Sequence, residues 1–396
     1  MAKKTIEDIE IKGKRVLLRV DFNVPISKND GHITDDSRIR ASLPTIEYLV
    51  NHKAKVIICS HVGRPGGKVV ENLRMAPIAQ RLSQLIDSPV STVADCIGHE
   101  VENRVKKLRE GDILVLENLR FHPGEEDNDA DFAQKLAGLA DIYVDDAFST
   151  AHRDHASIVG VAKYLPAVAG FLMKRELEVM GKLLHNPERP WACLIGGAKG
   201  SDKIELLQNM LKKVDILLVG GGIAATFLKT QGYEVGNSLI DYDRLGLAKE
   251  LLREAQEWRV PILLPIDEVV AEEIRVGAST RIVSTTNIAA DSHIVDIGPK
   301  SIALFQDELK KCRTIMWNGP MGINEIPQFA QGTRAMANFL STLDATTIIG
   351  GGSSAEVVQE MGLADKMTHV STGGGASLKF LEGITLTGVK VLLDKE

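Results

Sequence analysis

Residues 346–361 read Thr-Thr-Ile-Ile-Gly-Gly-Gly-Ser-Ser-Ala-Glu-Val-Val-Gln-Glu-Met, a short apolar strand, a bare glycine turn and a helix in succession. Thr346 to Ile349 form a β-branched run, the pattern of a strand covered on both faces. Gly350, Gly351 and Gly352 let the backbone turn sharply and approach a ligand with no Cβ in the way. Ser353 or Ser354 is placed to cap the helix, whose first N–H groups and dipole would then face an anion held in the turn. A tight strand-to-helix connection with no ligand looks the same when met once. Repetition along the chain is what favours the ligand.

The second half repeats this grammar. Trp191 to Ile195 runs into Gly196-Gly-Ala-Lys199-Gly-Ser-Asp-Lys203, Ile216 to Val219 into Gly220-Gly-Gly, Thr314 to Trp317 into Asn318-Gly-Pro-Met-Gly, and His369 to Thr372 into Gly373-Gly-Gly. Glycine-rich turns at strand ends describe a surface on which backbone can touch a nucleotide and its phosphates. Lys199 and Lys203, four apart at a helix start, share a face and can both lean over those phosphates.

In the first half the strands end in basic and polar residues instead. Arg15 to Val20 leads into Asp21 and Asn23, Lys55 to Cys59 into His61 and Arg64, Ile113 to Leu116 into Arg120, and Ile142 to Val144 into His152 and Arg153. Helical patterns such as Ser42 to Asn51 and Met75 to Ile86 lie between, so the fold class is α/β, with parallel sheets flanked by helices. Ligands of such sheets bind outside the carboxyl ends of the strands, so these basic groups should converge. Arg38, in the polar stretch 34–40 read as preceding a helix, reaches the same rim. A convergent set of guanidinium forks implies a small, multiply anionic ligand.

Residues 171–185 carry a long amphipathic pattern, with Met173, Leu177, Met180 and Leu184 on one stripe, and Pro187 and Pro190 follow it. This helix is read as the bridge between two domains. A chain of 396 residues, 44% hydrophobic and 25% charged, is long enough for two cores. The net charge of -6 argues against a nucleic-acid binder, and no apolar run is long enough for a membrane span. Cysteines 59, 96, 193 and 312 lack metal spacing and read as reduced, buried thiols of a cytoplasmic protein.

Two other classes compete. Gly220–Ala225 and Gly350–Ala355 fit G-x-G-x-x-A, which raises an NAD-dependent dehydrogenase, although no acidic residue follows at a strand end at the distance a ribose needs. A nucleotide-binding sensor without chemistry has the same pattern and differs only in turnover.

The strings Arg19-Val-Asp-Phe-Asn-Val-Pro25, Ser60-His-Val-Gly-Arg-Pro65, Leu116-Glu-Asn-Leu-Arg-Phe121, Asp146-Ala-Phe-Ser-Thr-Ala-His-Arg153, Ile195-Gly-Gly-Ala-Lys199, Trp317-Asn-Gly-Pro-Met-Gly322 and Ser371-Thr-Gly-Gly-Gly-Ala-Ser-Leu378 resemble the phosphoglycerate kinase family in its bacterial form, in order and along the whole length. The resemblance implies reversible phosphoryl transfer between ATP and the carboxylate of 3-phospho-D-glycerate, giving 1,3-bisphosphoglycerate and ADP, with Mg2+, in glycolysis and gluconeogenesis. It implies two Rossmann-like domains joined by the long helix and a hinge: 1–170 for phosphoglycerate, 171–185 as the bridge, 186–377 for the nucleotide, and a tail, 378–396, returning to the first. It also implies a monomer that closes over its substrates.

Carried onto this chain, the phosphoglycerate site comprises Asp21, Phe22, Asn23, Arg38, His61, Val62, Gly63, Arg64, Arg120, His152 and Arg153. The nucleotide site comprises Lys199, Lys203, Gly220, Gly221, Asn318, Glu325, Gly351, Gly352, Ser353 and Ser354, with Arg38, Lys199, Gly351 and Gly374 acting on the transferring group. The chain departs from the family at Ser149 and Gly200, where Gly and an apolar residue are usual, at Ile294-Val295 before Asp296, at Asn324, and at Ser353, where the family carries an Asp that helps hold Mg2+. No metal ligand is therefore assigned.

Overall fold

The computed structural model describes residues 2–27, 31–198 and 201–395, and of Ser201 and Asp202 the backbone alone. Contacts divide the chain into one unit of Met1–Val179 with Thr385–Glu396 and another of Met180–Ile384.

In the first unit six short strands form a parallel sheet: β1 (Arg15–Arg19), β2 (Lys55–Cys59), β3 (Val90–Thr92), β4 (Ile113–Val115), β5 (Ile142–Asp145) and β6 (Ala167–Ala169), in the order β3-β4-β2-β1-β5-β6. Val16, Leu18, Val56, Ile58 and Val115 pack on one face with Ile39, Ile46 and Leu49 of the helix Ser37–Asn51. Leu17, Ile57, Leu114 and Tyr143, which alternate with them, are equally inaccessible. Both faces are covered, which is why these strands are continuous apolar runs without polar alternation. The chain leaves β1 toward β2 on one side and reaches β5 on the other, so the order reverses at β1/β5, where such sheets bind ligands.

The second unit repeats the plan with β7 (Trp191–Ile195), β8 (Ile216–Val219), β9 (Ile262–Leu263), β13 (Thr314–Asn318), β14 (Thr346–Gly350) and β15 (His369–Val370), in the order β15-β14-β13-β7-β8-β9. Ala192, Leu194, Leu218, Ile315, Trp317 and Ile349 pack there with Phe305, Met336 and Leu340. The order reverses at β7/β13, between two glycine turns. A three-stranded antiparallel sheet, β10 (Asp267–Ala271), β11 (Thr280–Ser284) and β12 (His293–Ile297), adds to this unit and was not expected. Its edge strand β11 is mostly exposed, and β10 opens with two acidic residues, so neither shows a strand's usual apolar signature.

Phe171–His185 is one helix, as expected, but its buried stripe is Met173, Glu176, Met180 and Leu183; Leu177 and Leu184 are half-buried. No described helix is long and apolar enough to cross a membrane.

Glu268, on β10, is 1% exposed, and neither carboxylate oxygen has a hydrogen-bond partner. Burial first, then the charges of Asp296 and Asp267, push its pKa well above the usual carboxylate range. The folded state thus binds a proton that the unfolded chain gives up, and stability falls as pH rises above the ordinary carboxylate pKa. Glu268→Gln is expected to stabilise the protein by about 1–3 kcal/mol at neutral pH, with the gain vanishing near about pH 4. Denaturant titrations at both pH values check this; equal gains at both would refute it.

Candidate active site

Loops leaving β1, β2 and β4 are knitted to one another by side-chain-to-backbone hydrogen bonds. The Phe22 amide donates to Ser60 Oγ (2.9 Å), and Asn23 folds its Oδ1 under the Gly63 amide (2.8 Å) while its own amide donates to Asp21 Oδ1 (3.1 Å). Asn118, fully buried after β4, accepts from the Val62 and Arg120 amides (3.3 and 3.1 Å) and donates to the Val62 and Leu73 carbonyls (2.8 and 3.0 Å). Satisfied this way, the loops hold their side chains in place.

The basic groups gather on that frame. Arg120 is 3% exposed: its Nη1 donates to the Gly63 carbonyl at 2.8 Å, and its Nη2 has no acceptor. Its Nε lies 3.2 Å from Glu126 Oε1, close enough for an ion pair but without hydrogen-bond geometry. Arg153 keeps its Nε buried without a partner. Burial, followed by the charges of Arg19, Arg120, Arg153 and His155, depresses the pKa of His61 well below its usual value, so the ring is neutral. That mutual influence shows that the ends of β1, β2, β4 and β5 bring their cations together.

Arg38 sits in the first turn of the helix Ser37–Asn51, which begins five residues earlier than the apolar pattern suggested, because its first turn is polar. Its guanidinium is paired with Asp21, whose same oxygen also accepts from Ser149 Oγ. Arg64 is exposed and His152 half-buried on their loops. Sequence reading missed Arg19, Glu125 and Ser157, which lie buried beneath this cluster; a lone arginine ending the apolar run of β1 was the available signal.

The second unit holds a cavity of about 440 Å³ at the carboxyl ends of its strands. Its wall is backbone from the turns after β7 (Gly197), β8 (Gly221, Gly222), β13 (Asn318, Gly319) and β14 (Gly351, Gly352, Ser353), with Gly374 beyond β15. Two helices, Gly221–Thr230 and Gly352–Glu360, begin at it and offer free amides to an anion. Gly319 (φ +91°) must be glycine, since its backbone is in the left-handed region and a Cβ there would collide with the Gly196 carbonyl. Gly351 (φ +84°) occupies the N-cap position in a left-handed conformation.

Neither serine caps that helix, contrary to expectation. Both lie inside its first turn, where Ser354 is buried, donates to the Gly350 carbonyl (2.6 Å) and accepts from the Gly319 amide (3.0 Å), tying two turns together. Ser353 is exposed and lines the cavity. Gly220 packs behind the wall, its α-carbon facing Met321. Lys203 donates from Nζ to the Gly196 carbonyl (2.6 Å), and burial lowers its pKa to about 8. Asn318 Nδ2 is buried without an acceptor. Glu325 lines the cavity, as does Asp296, whose carboxylate is committed to the Gly332 and Ile297 amides (2.7 and 2.9 Å). Leu239, Ile274, Ile294, Ile323 and Leu378 form the apolar part of the wall, suited to a flat base. Lys199 lies outside the described residues.

Two doubly wound α/β units, one gathering guanidinium groups and one walled by glycine turns, define a transferase acting on anionic substrates, one of them a nucleotide. The phosphoglycerate kinase family model matches residues 6–384. Phosphoglycerate kinases of Dictyoglomus turgidum and Pelotomaculum thermopropionicum are 55% and 53% identical, each covered in full and over the full chain. The solved structures of phosphoglycerate kinases from Coxiella burnetii (40% identity, TM-score 0.86) and Pyrococcus horikoshii (32%, 0.87) cover 98% of this chain and 98% of their own. The chain belongs to the phosphoglycerate kinase family. Its function is that of the family, reversible phosphoryl transfer between ATP and 3-phosphoglycerate in glycolysis, and this displaces the dehydrogenase and sensor readings.

Proposed function

We propose that 3-phosphoglycerate binds at the carboxyl ends of β1, β2, β4 and β5, and that MgATP or MgADP binds in the glycine-walled cavity of the second unit. The carrying observation is the pair of buried guanidinium donors left without acceptors, Arg120 Nη2 and Arg153 Nε, beside the neutral ring of His61. Buried donors are rarely left unpaired, and phosphate or carboxylate oxygens would satisfy them. Asp21, Asn23 and the His61–Arg64 loop complete that site. The attacking carboxylate is already ionised at neutral pH, so no general base is needed; alignment and charge neutralisation are. Arg38, Lys203, Lys199 and the amides around Gly351 and Gly374 supply these roles in this proposal.

The transfer requires both ligands to meet with water excluded, which we assign to closure about the helix 171–185 and its hinge. A monomeric, cytoplasmic enzyme with no nucleic-acid or membrane partner belongs to the same reading. A coupled assay with ATP and 3-phosphoglycerate tests the reaction. Turnover that needs both supports it, and hydride transfer to NAD in its place would sink it.

Mg2+ enters as part of the nucleotide substrate. The carboxylates lining the cavity are Asp296, already committed to backbone amides, and exposed Glu325, so the described residues of this cavity offer no cage for a resident ion. Ser353, where the family carries a carboxylate, is exposed on the wall and can hold a metal-bound water or a phosphate oxygen. Ser353→Asp is expected to lower the Mg2+ concentration for half-activation at saturating ATP by about threefold to tenfold, since Mg2+ favours carboxylate oxygens. Identical Mg2+ titrations of both proteins would show that this position does not touch the metal.

A further inference from the structure

Arg19, the last residue of β1, is a cation held wholly inside the protein at 1% exposure. Its Nε donates to Ser157 Oγ at 3.0 Å, its Nη1 donates to the Val20 carbonyl, and its Nη2 lies 3.1 Å from Nδ1 of His61, itself 4% exposed. A guanidinium has N–H donors and no lone pair to offer, so at this contact Nδ1 is the acceptor. An imidazole that accepts at Nδ1 and is neutral carries its one proton on Nε2. A protonated ring would set two donors against each other.

Arg19 is fixed from its other side. Ser157 Oγ, which accepts from Arg19, donates to Glu125 Oε1 at 2.6 Å, and the Ser157 amide donates to Glu125 Oε2 at 2.9 Å. Glu125 is fully buried, and although burial pushes its pKa up, His155, Arg19 and Ser157 outweigh that and hold it ionised. Carboxylate, hydroxyl, guanidinium and imidazole thus form one buried chain, with the anion of Glu125 balancing the cation of Arg19. The ring at its end keeps Nε2–H for a partner outside the chain.

We propose that Arg19 is a positioning residue that locks His61 as the neutral Nε2–H tautomer, making the ring a hydrogen-bond donor to an oxygen of bound phosphoglycerate. This rests on reading the first unit's basic cluster as the phosphoglycerate site. The other neutral tautomer would turn a lone pair toward an anionic ligand, and an imidazolium would add charge to a cluster that already holds several arginines. The lock supplies a donor without either cost.

Nitrogen NMR of protein labelled at the histidine rings reads the tautomer directly, with the His61 signals assigned by their loss in His61→Gln. Nδ1 is expected to resonate as an unprotonated nitrogen and Nε2 as a protonated one, unchanged between about pH 5.5 and 8. Addition of 3-phosphoglycerate shifts Nε2 and leaves the tautomer in place. In Arg19→Met, with folding checked by its melting transition, Nδ1 gains protonation and the KM for 3-phosphoglycerate rises about tenfold while that for ATP holds. Arg19→Lys, which retains a donor, recovers part of both. A proton on Nδ1 in the unaltered protein, or a ring titrating in the ordinary histidine range, overturns the lock whether or not the Arg19 variants fold. A ring locked as described but blind to 3-phosphoglycerate overturns the assignment of the cluster, and with it the purpose of the lock.

Discussion

Arg38→Ala is expected to lower kcat by roughly 10² or more while leaving the KM for ATP within about twofold, the pattern of a lost transition-state donor. Arg38 belongs to the unit that does not carry the glycine-walled cavity proposed for the nucleotide, so ground-state binding of ATP is expected not to depend on it. Its side chain is 41% exposed and held by one carboxylate, that of Asp21, which Ser149 already shares. A guanidinium held so lightly at a polar helix start is free to turn to charge developing on a phosphoryl group. Arg38→Lys should recover little, because an ammonium cannot reproduce the planar fork. Steady-state kinetics decide it: normal kcat, or lost ATP affinity, would remove Arg38 from the catalytic set.

Lys203→Met should raise the KM for ATP by about 10- to 100-fold without lowering the melting temperature at neutral pH. The ammonium lies in a glycine cradle on one carbonyl, and burial holds its pKa at about 8, below its ordinary value. A cation depressed in the folded state costs stability in full below that pKa, and the cost fades as pH rises toward the unfolded value, so removing it does not weaken the fold at pH 7. Nucleotide phosphates favour the charged form. In the unaltered protein the KM for ATP should therefore climb as pH rises past about 8, and Lys203→Arg should flatten that rise. A KM for ATP that is unchanged in Lys203→Met, or independent of pH in the unaltered protein, would mean that the amine serves the turn rather than the ligand.

The parallel strands were readable because burial on both faces forces continuous apolar runs such as Trp191–Ile195 and Thr346–Ile349, and the site was readable because it stands where those runs end. Local chemistry misled where tertiary contacts decided. Ser353 and Ser354 have the composition of caps, yet Gly351 takes that position and Ser354 is drawn down to Gly350 and Gly319. Ser37 and Arg38 open a helix whose polar first turn has no apolar period to announce it. Arg19 and Ser157 stand 138 positions apart, and no spacing rule links them; the parallel packing of β1 against β5 brings them together. The antiparallel sheet of the second unit stayed hidden because Asp267 and Glu268 are buried acids in a strand, the reverse of the usual pattern.

The assignment of one anionic substrate to each unit is tested most directly by amide hydrogen exchange with one ligand at a time. With 3-phosphoglycerate alone, slowed exchange is expected around residues 21–23, 61–64, 118–120 and 147–153, with the glycine turns unchanged. With ADP alone, protection should appear at 220–225, 318–322, 350–355 and 373–376, with the basic loops unchanged. Protection of the glycine turns by 3-phosphoglycerate, or of the basic loops by ADP, would contradict it.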